Sequence, residues 1–169
     1  MRYLRAIEPE DLDLMYIVEN DPNICRYSST NVPLSRYALK RYIEESRGDL
    51  FIDSQVRMTI VDAETGVACG FLDITDFNPT HRRAQVGIAL VPEAQRRGIA
   101  THALNEAASY AKRQGLSQLY AIVSSDNTNA SRLFLRSLYA ETAVLHKWLY
   151  DDGNFTDAIL YQLFLEQKL

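Results

Sequence analysis

The stretch that decides the fold runs from Val86 to Gly115, V-G-I-A-L-V-P-E-A-Q-R-R-G-I-A-T-H-A-L-N-E-A-A-S-Y-A-K-R-Q-G. Its first six residues alternate, with Val86, Ile88 and Leu90 on one side of a strand and Gly87, Ala89 and Val91 on the other. Pro92 has no N–H to give a ladder, so the strand stops there. Ala100, Ala103, Leu104, Ala107, Ala108 and Ala111 then recur at spacings of three and four, the stripe of an amphipathic helix. Gly115 stands where a helix C-terminal glycine belongs. Between strand and helix lies a short turn, Gln95-Arg96-Arg97-Gly98-Ile99-Ala100.

A strand that passes through a glycine-containing turn into a helix leaves several backbone N–H groups without partners at the positive end of the helix dipole. Such a turn binds phosphate oxygens, and Arg96 and Arg97 add charge beside it. Two phosphate-binding patterns are excluded by spacing: neither G-x-x-x-x-G-K-[ST] nor G-x-G-x-x-G after a strand occurs. The alternative is an ordinary strand-to-helix connection. Gln95, Gly98 and Ala100 fit [Q/R]-x-x-G-x-[G/A], which resembles the acetyl-coenzyme A signature of the GNAT acetyltransferases. The preceding V-G-I-A-L-V-P-E, the small-residue helix and the later Asn127 extend that resemblance.

At 169 residues the chain is read as one domain, residues 1–169, able to bury about two-thirds of its unfolded surface. Apolar content of 47% and charged content of 24% are those of a soluble globular protein. A formal charge of −4 argues against a nucleic-acid partner, since no basic face dominates. No segment is apolar enough for a signal peptide or a membrane span, which points to a cytoplasmic protein without a membrane partner. Cys25 and Cys69 are far apart and read as reduced thiols, and His81, His102 and His146 are scattered, so no metal is expected.

In chain order, Tyr3 to Ala6 reads as a strand and Pro9 opens a helix with Leu12, Met15 and Tyr16 inward. Ser35 caps a second helix carrying Ala38, Leu39, Tyr42 and Ile43 and closed by Gly48. The polar loop from Cys25 to Pro33 is read as one wall of a substrate site. Strands over Gln55–Val61, Val67–Phe77 and Arg83–Val91 form an antiparallel meander with turns at Asp62–Gly66 and Asn78–Thr80. The helix after Gly98 leads to a strand over Leu119–Val123, parallel to the one ending at Val91. A helix follows with Ala130, Leu133, Phe134, Ser137 and Leu138 on one face, then a hairpin around Asp151-Asp152-Gly153-Asn154. This order resembles the GNAT fold over nearly the whole chain. The resemblance implies an α/β architecture: a central, mixed, strongly twisted seven-stranded sheet with a splayed parallel strand pair, flanked by about four helices. The N-terminal helices and W-L-Y-D-D-G-N-F hairpin look nearest to the branch holding diamine and ribosomal-protein N-terminal acetyltransferases.

The resemblance further implies acetyl-coenzyme A as co-substrate, entering the splay. Its pantetheine amides would pair with main chain near Leu90 and Val91, and its pyrophosphate would rest on N–H groups around Gln95, Arg96, Arg97, Gly98, Ile99, Ala100 and Thr101. Asn127 would contact the cofactor, with Ala130, Leu133 and Phe134 lining the thioester end; as a bare residue Asn127 is equally a helix cap. The chemistry requires a neutral amine, and alkyl amines titrate near ~10, so a carboxylate must help remove a proton. Asp73, Asp76 and Glu93 are candidates. Asp73 is preferred, because within F-L-D-I-T-D-F an unpartnered carboxylate is costly. The main-chain N–H of Leu90 would stabilise the oxyanion. Where many GNAT enzymes have an acidic tyrosine this chain has Phe134, which leaves Ser131 or Tyr139 as substitutes. The acceptor expected is a small polyamine-like amine, with Glu19, Asp21, Glu44 and Glu45 as an acidic entrance. A protein N-terminus or lysine, and a non-catalytic acetyl-coenzyme A sensor, are the alternatives; a homo-oligomer is compatible with all three.

Overall fold

The computed structural model describes residues 2–25, 32–151 and 153–165. Strand β1 (Leu4–Ala6) leads to a 3-10 turn at Pro9–Asp11 and helix α1 (Leu12–Asn20). Two single-turn helices, α2 (Pro22–Cys25) and α4 (Leu50–Asp53), bracket the longer α3 (Arg36–Glu45). The antiparallel meander is β2 (Val56–Val61), β3 (Ala68–Asn78) and β4 (Arg83–Leu90). Helix α5 (Ile99–Arg113), β5 (Gln118–Ser124), α6 (Thr128–Arg136), β6 (Ala140–Asp151) and β7 (Asn154–Phe164) complete the chain. All seven strands form one sheet in the order β1-β2-β3-β4-β5-β7-β6, with β4–β5 its parallel pair.

Alternation within the strands gives the sheet two different faces. Met58, Ile60, Leu72, Ile74, Val86 and Leu90 pack with Ala103, Leu104, Ala107 and Ala111 of α5. Phe71, on the opposite face of β3, packs with Met15 and Val18 of α1 and Leu39 of α3. Helix α5 ends as its glycine predicts: the N–H of Leu116 reaches the carbonyl of Ala111, and that of Gly115 reaches Lys112.

Several expectations are corrected. Six α-helices stand among the described residues where about four were expected, because α2 and α4 are too short to show a stripe. Asp49 makes α4 possible by accepting from the N–H groups of Phe51 and Ile52. Helix α3 stops at Glu45 rather than Gly48. Tyr16 does not face inward: it is 37% exposed, with the Arg36 guanidinium 4.5 Å above its ring. Leu138 leaves the α6 stripe because the helix stops at Arg136 and Leu138 turns into left-handed backbone, leaving it 81% exposed.

Polar latches hold α1 to the sheet. Before α1, the buried carboxylate of Asp11 accepts from Arg5 (2.7 Å to each oxygen), from the Glu8 N–H and from the Thr59 hydroxyl. Burial alone would raise the Asp11 pKa; these donors outweigh it and hold the carboxyl below its ordinary value. On the other side of the sheet's centre, β3 and β4 approach closely at Gly70. A Cβ there would lie 2.1 Å from the Ala89 carbonyl oxygen and 2.9 Å from Leu90 Cα.

Two outcomes follow. Gly70→Ala has to displace the Ala89–Leu90 backbone and should cost about 1–3 kcal/mol in urea denaturation; an unchanged midpoint would show that the strands have slack. Asp11 is depressed in the folded state, so its contribution is complete above the unfolded carboxyl value of ~3.9 and is lost as pH falls through the folded value. The stability gap between wild type and Asp11→Asn should therefore be widest near neutrality and narrow below about pH 4; a gap that widens in acid would reverse the sign of this argument.

Candidate active site

Parallel pairing between β4 and β5 covers only Arg83↔Gln118, Ala84↔Leu119 and Gln85↔Tyr120. Beyond these, each strand follows its antiparallel neighbour. The Val91 N–H donates to the Cys69 carbonyl beside β3, and Ser124 remains paired with Ala158 of β7. The two strands therefore diverge and open a gap at their C-terminal ends. Because Val91–Cys69 is a hydrogen-bonded pair, the adjacent Leu90↔Gly70 pair is a non-hydrogen-bonded one. The Leu90 N–H and carbonyl therefore face away from β3, into the gap. Its carbonyl accepts from Gln95 Nε2 at 3.1 Å, which ties the turn to the end of the strand.

The turn itself is exposed from Gln95 to Gly98. Arg96 (φ +61°) and Gly98 (φ +80°) both take left-handed backbone, and Gly98 is the N-cap of α5 without a side-chain cap. The His102 N–H donates to the Gly98 carbonyl at 3.2 Å, the first bond of the helix, so the N–H groups of Ile99, Ala100 and Thr101 precede the intrahelical ladder. They stand at the positive end of a fifteen-residue helix. Backbone N–H groups in this arrangement are able to hold an anion. Arg97 does not point its charge at it alone, since its Nη2 lies 2.7 Å from Asp62 Oδ2.

Across the gap, Asn127 caps α6, its Oδ1 accepting from the Ala130 N–H at 3.1 Å. Ala130, Ser131 and Leu133 are half-buried along α6. Phe134 is buried, its ring edge-on to Tyr139 at 5.1 Å and stacked on Tyr161 at 6.0 Å. Tyr139 is equally buried, its hydroxyl has no hydrogen-bond partner among the described residues, and burial pushes its pKa above the ordinary phenol value. That core position makes Tyr139 a poor substitute acid and leaves Ser131 as the hydroxyl on α6.

Asp73 has the partner that its apolar surroundings demanded. Arg57 binds it bidentately, Nε to Oδ1 at 2.6 Å and Nη2 to Oδ2 at 2.8 Å, and Nη1 reaches Glu19 Oε1 at 2.6 Å. Burial opposes the charge on Arg57, yet the two carboxylates overcome it and hold its pKa above the ordinary value. Both oxygens of Asp73 are thereby engaged by Arg57. Of the other base candidates, Asp76 accepts the Tyr120 hydroxyl and Glu93 is exposed beside the turn. Burial and that bond to Asp76 push the Tyr120 pKa up to about 12. The acidic entrance is largely neutralised within α3, where Lys40 pairs with Glu44 and Arg41 with Glu45. Residues 26–31 of the expected substrate wall lie outside the described residues. An open groove of about 600 Å³ lined by Phe51, Phe77, Lys112 and Leu116 sits at the far end of α5 and belongs to no part of this gap.

Sequence reasoning did not single out Arg57, Asp62 or Gly70. A charged residue at an inward alternation position of R-M-T-I-V was the available signal for Arg57. Asp62 was legible only as the first residue of a turn, since its Arg97 partner lies after β4, and Gly70 has no local signal because the backbone it approaches is on β4.

A splayed parallel pair closed by a glycine turn and a helix N-terminus defines the acyl-transferase class of site, and the comparisons agree. The sequence model of the acetyltransferase (GNAT) domain matches residues 2–137, so the chain belongs to the GNAT acetyltransferase family and is an N-acetyltransferase. Spermidine N(1)-acetyltransferase of Escherichia coli (strain K12) is 28% identical over 98% of this chain and 87% of its own. An uncharacterized N-acetyltransferase of Bacillus subtilis (strain 168) is 26% identical over 95% of this chain and 91% of its own. In structure, spermidine N-acetyltransferase from Vibrio cholerae in complex with CoA and spermine superposes with a TM-score of 0.85, at 24% identity over 96% of this chain and 94% of that one.

Removing Arg57 tests the clamp. Arg57→Met leaves Asp73 and Glu19 facing one another with no cation between them, and should cost about 3–5 kcal/mol of stability. A loss under about 1 kcal/mol in denaturant titration would mean that water already carries most of that charge.

Proposed function

We propose that this chain transfers an acetyl group from acetyl-coenzyme A to a primary amine of a small polyamine-like acceptor. The carrying observation is the convergence of two kinds of backbone donor on one gap: the Leu90 N–H on its β4 wall, and the first-turn N–H groups of α5 at its mouth. The acceptor reading is supported by the spermidine acetyltransferases among the relatives, which align at 26–28% identity over 91–98% of this chain.

Acetyl-coenzyme A would supply an activated acyl carbon as a thioester. The N–H groups of Ile99, Ala100 and Thr101, with Gly98 giving close approach, hold the pyrophosphate, and Gln95 keeps the turn against β4. Main chain at the end of β4 aligns the pantetheine arm through the Leu90 N–H, because the Val91 N–H is given to the Cys69 carbonyl and the Val91 carbonyl accepts from the Ala94 N–H at 3.0 Å. Leu90 N–H also faces the point where negative charge grows on the attacked carbonyl oxygen. Asn127 and Ala130 form the opposite wall with Leu133, and Phe134 supports that wall from the core. The Arg57–Asp73–Glu19 group carries a net charge of minus one in words of formal valence, which favours a cationic amine near the α1 face. Asp73 then acts through field and position, and the amine proton leaves through water. The departing thiolate, with a pKa of ~8.5, is a fair leaving group, and Ser131 on α6 is the hydroxyl that would assist it. The exposed hairpin residues Trp148, Tyr150 and Phe155 offer a surface for self-association, in keeping with a dodecameric form of the Vibrio cholerae relative.

Coenzyme A release measured with diamines, spermidine, spermine, an aminoglycoside and peptides with free N-termini tests the acceptor. Turnover confined to the polyamines is expected, and turnover confined to peptides would replace this reading with protein acetylation. Gly98→Glu puts a Cβ and a negative charge into left-handed backbone at the start of α5 and should weaken coenzyme A binding about tenfold or more by calorimetry. Unchanged affinity would remove the cofactor from this turn.

A further inference from the structure

The two arginines of the turn after β4 are not equivalent. Arg96 is exposed, in left-handed backbone, beside the start of α5. Arg97 instead reaches back to the β2–β3 turn, its Nη2 2.7 Å from Asp62 Oδ2, with the Asp62 side chain only 8% exposed. Asp62 is itself firmly held. Its Oδ1 accepts from the Glu64 N–H at 2.9 Å, its carbonyl accepts from the Gly66 N–H at 2.7 Å, and its own N–H donates to the Val67 carbonyl at 2.9 Å. The backbone N–H of Glu64 is the leading cause of a carboxyl pKa below the ordinary value, with Arg97 adding to it. The same hairpin grips β4 twice more, through the Val91 N–H to the Cys69 carbonyl and through the close approach at Gly70.

We infer that Asp62 is a positioning residue for the cofactor: through Arg97 it anchors the turn Gln95–Gly98 to the β2–β3 hairpin and so aims the first N–H groups of α5 at the phosphates. This rests on the reading that the turn holds the pyrophosphate of acetyl-coenzyme A. Arg97 on this account is a strut, and Arg96 is the arginine left to add charge to the site. The physical reason is that a turn containing two left-handed residues has no regular hydrogen-bond ladder of its own. Gln95 ties one end to Leu90 and α5 fixes the other; Arg97 supplies the third point of attachment between them.

Calorimetry with coenzyme A distinguishes a strut from a direct phosphate ligand. Asp62→Asn keeps an oxygen for the Glu64 N–H but removes the charge facing Arg97. It should weaken coenzyme A binding about tenfold. Arg97→Gln should do the same, the double variant should be no worse than either single one, and Arg97→Lys should recover most of the loss. Arg96→Gln should add its own loss to that of Asp62→Asn. In turnover, KM for acetyl-coenzyme A should rise while kcat and the KM for the amine hold, which a general loss of stability would not produce. Unchanged or tighter binding by Asp62→Asn alongside weakened binding by Arg97→Gln would overturn the inference, since Arg97 would then be freed to meet the phosphates. If Asp62→Asn does not fold, Asp62→Ser, which also keeps an acceptor oxygen, carries the same comparison. Gly98→Glu separates the two levels. Retained affinity in that variant refutes the cofactor placement itself, whereas loss there with full affinity in Asp62→Asn overturns only the role of Asp62.

Discussion

Two neighbouring strands that separate after three residue pairs are the constraint on which this structure depends. Parallel β4 and β5 cannot remain together because each is committed to a stronger antiparallel partner. On one side, β3 draws the end of β4 towards it at Gly70 and Cys69; on the other, β7 keeps β5 paired through Ser124. The gap between them is therefore a product of the whole sheet. It gives β4 backbone groups that face no strand, which is rare within a sheet and useful only where a ligand can take the missing strand's place.

The polar groups that face the gap are largely main chain. The first turn of α5 and Leu90 present N–H groups whose direction is fixed by secondary structure. Side chains act one step back. Gln95 holds the turn to Leu90, Asn127 caps the helix across the gap, and Asp62 holds Arg97. Such a division explains how relatives less than 30% identical keep the same fold, as backbone geometry tolerates many side chains.

On the opposite face, charge is managed by enclosure. Helix α1 is attached near its start by Asp11, bound to Arg5 and Thr59, and near its end by Glu19, bound to Arg57. Each latch joins a carboxylate to a guanidinium that also bonds elsewhere, so loss of one member leaves others unpaired. The face that α1 covers is thereby kept rigid and slightly acidic beside the strand that carries Asp73.

How much of this the sequence disclosed depended on the range of the interaction. Alternation in Val86–Val91, the small-residue stripe of α5 and the caps at Ser35, Asn127 and Gly115 are local, with partners within a few residues, and each is where the sequence puts it. The glycine turn and the helix start behind it were legible for the same reason, because N–H groups at a helix start need no distant partner. Asp73 shows the limit: its need for a partner could be read from its apolar neighbours, but Arg57 sits sixteen residues away and only strand register joins them. Gly70, Asp62 and the divergence of β4 from β5 were likewise decided by tertiary structure, since a close approach, a strut and a gap are relations between strands. Sequence by itself determined the elements, the fold family and the glycine turn that opens α5; the packing of those elements decided which charges are spent on one another and which remain exposed, because charge pairing across strands depends on register.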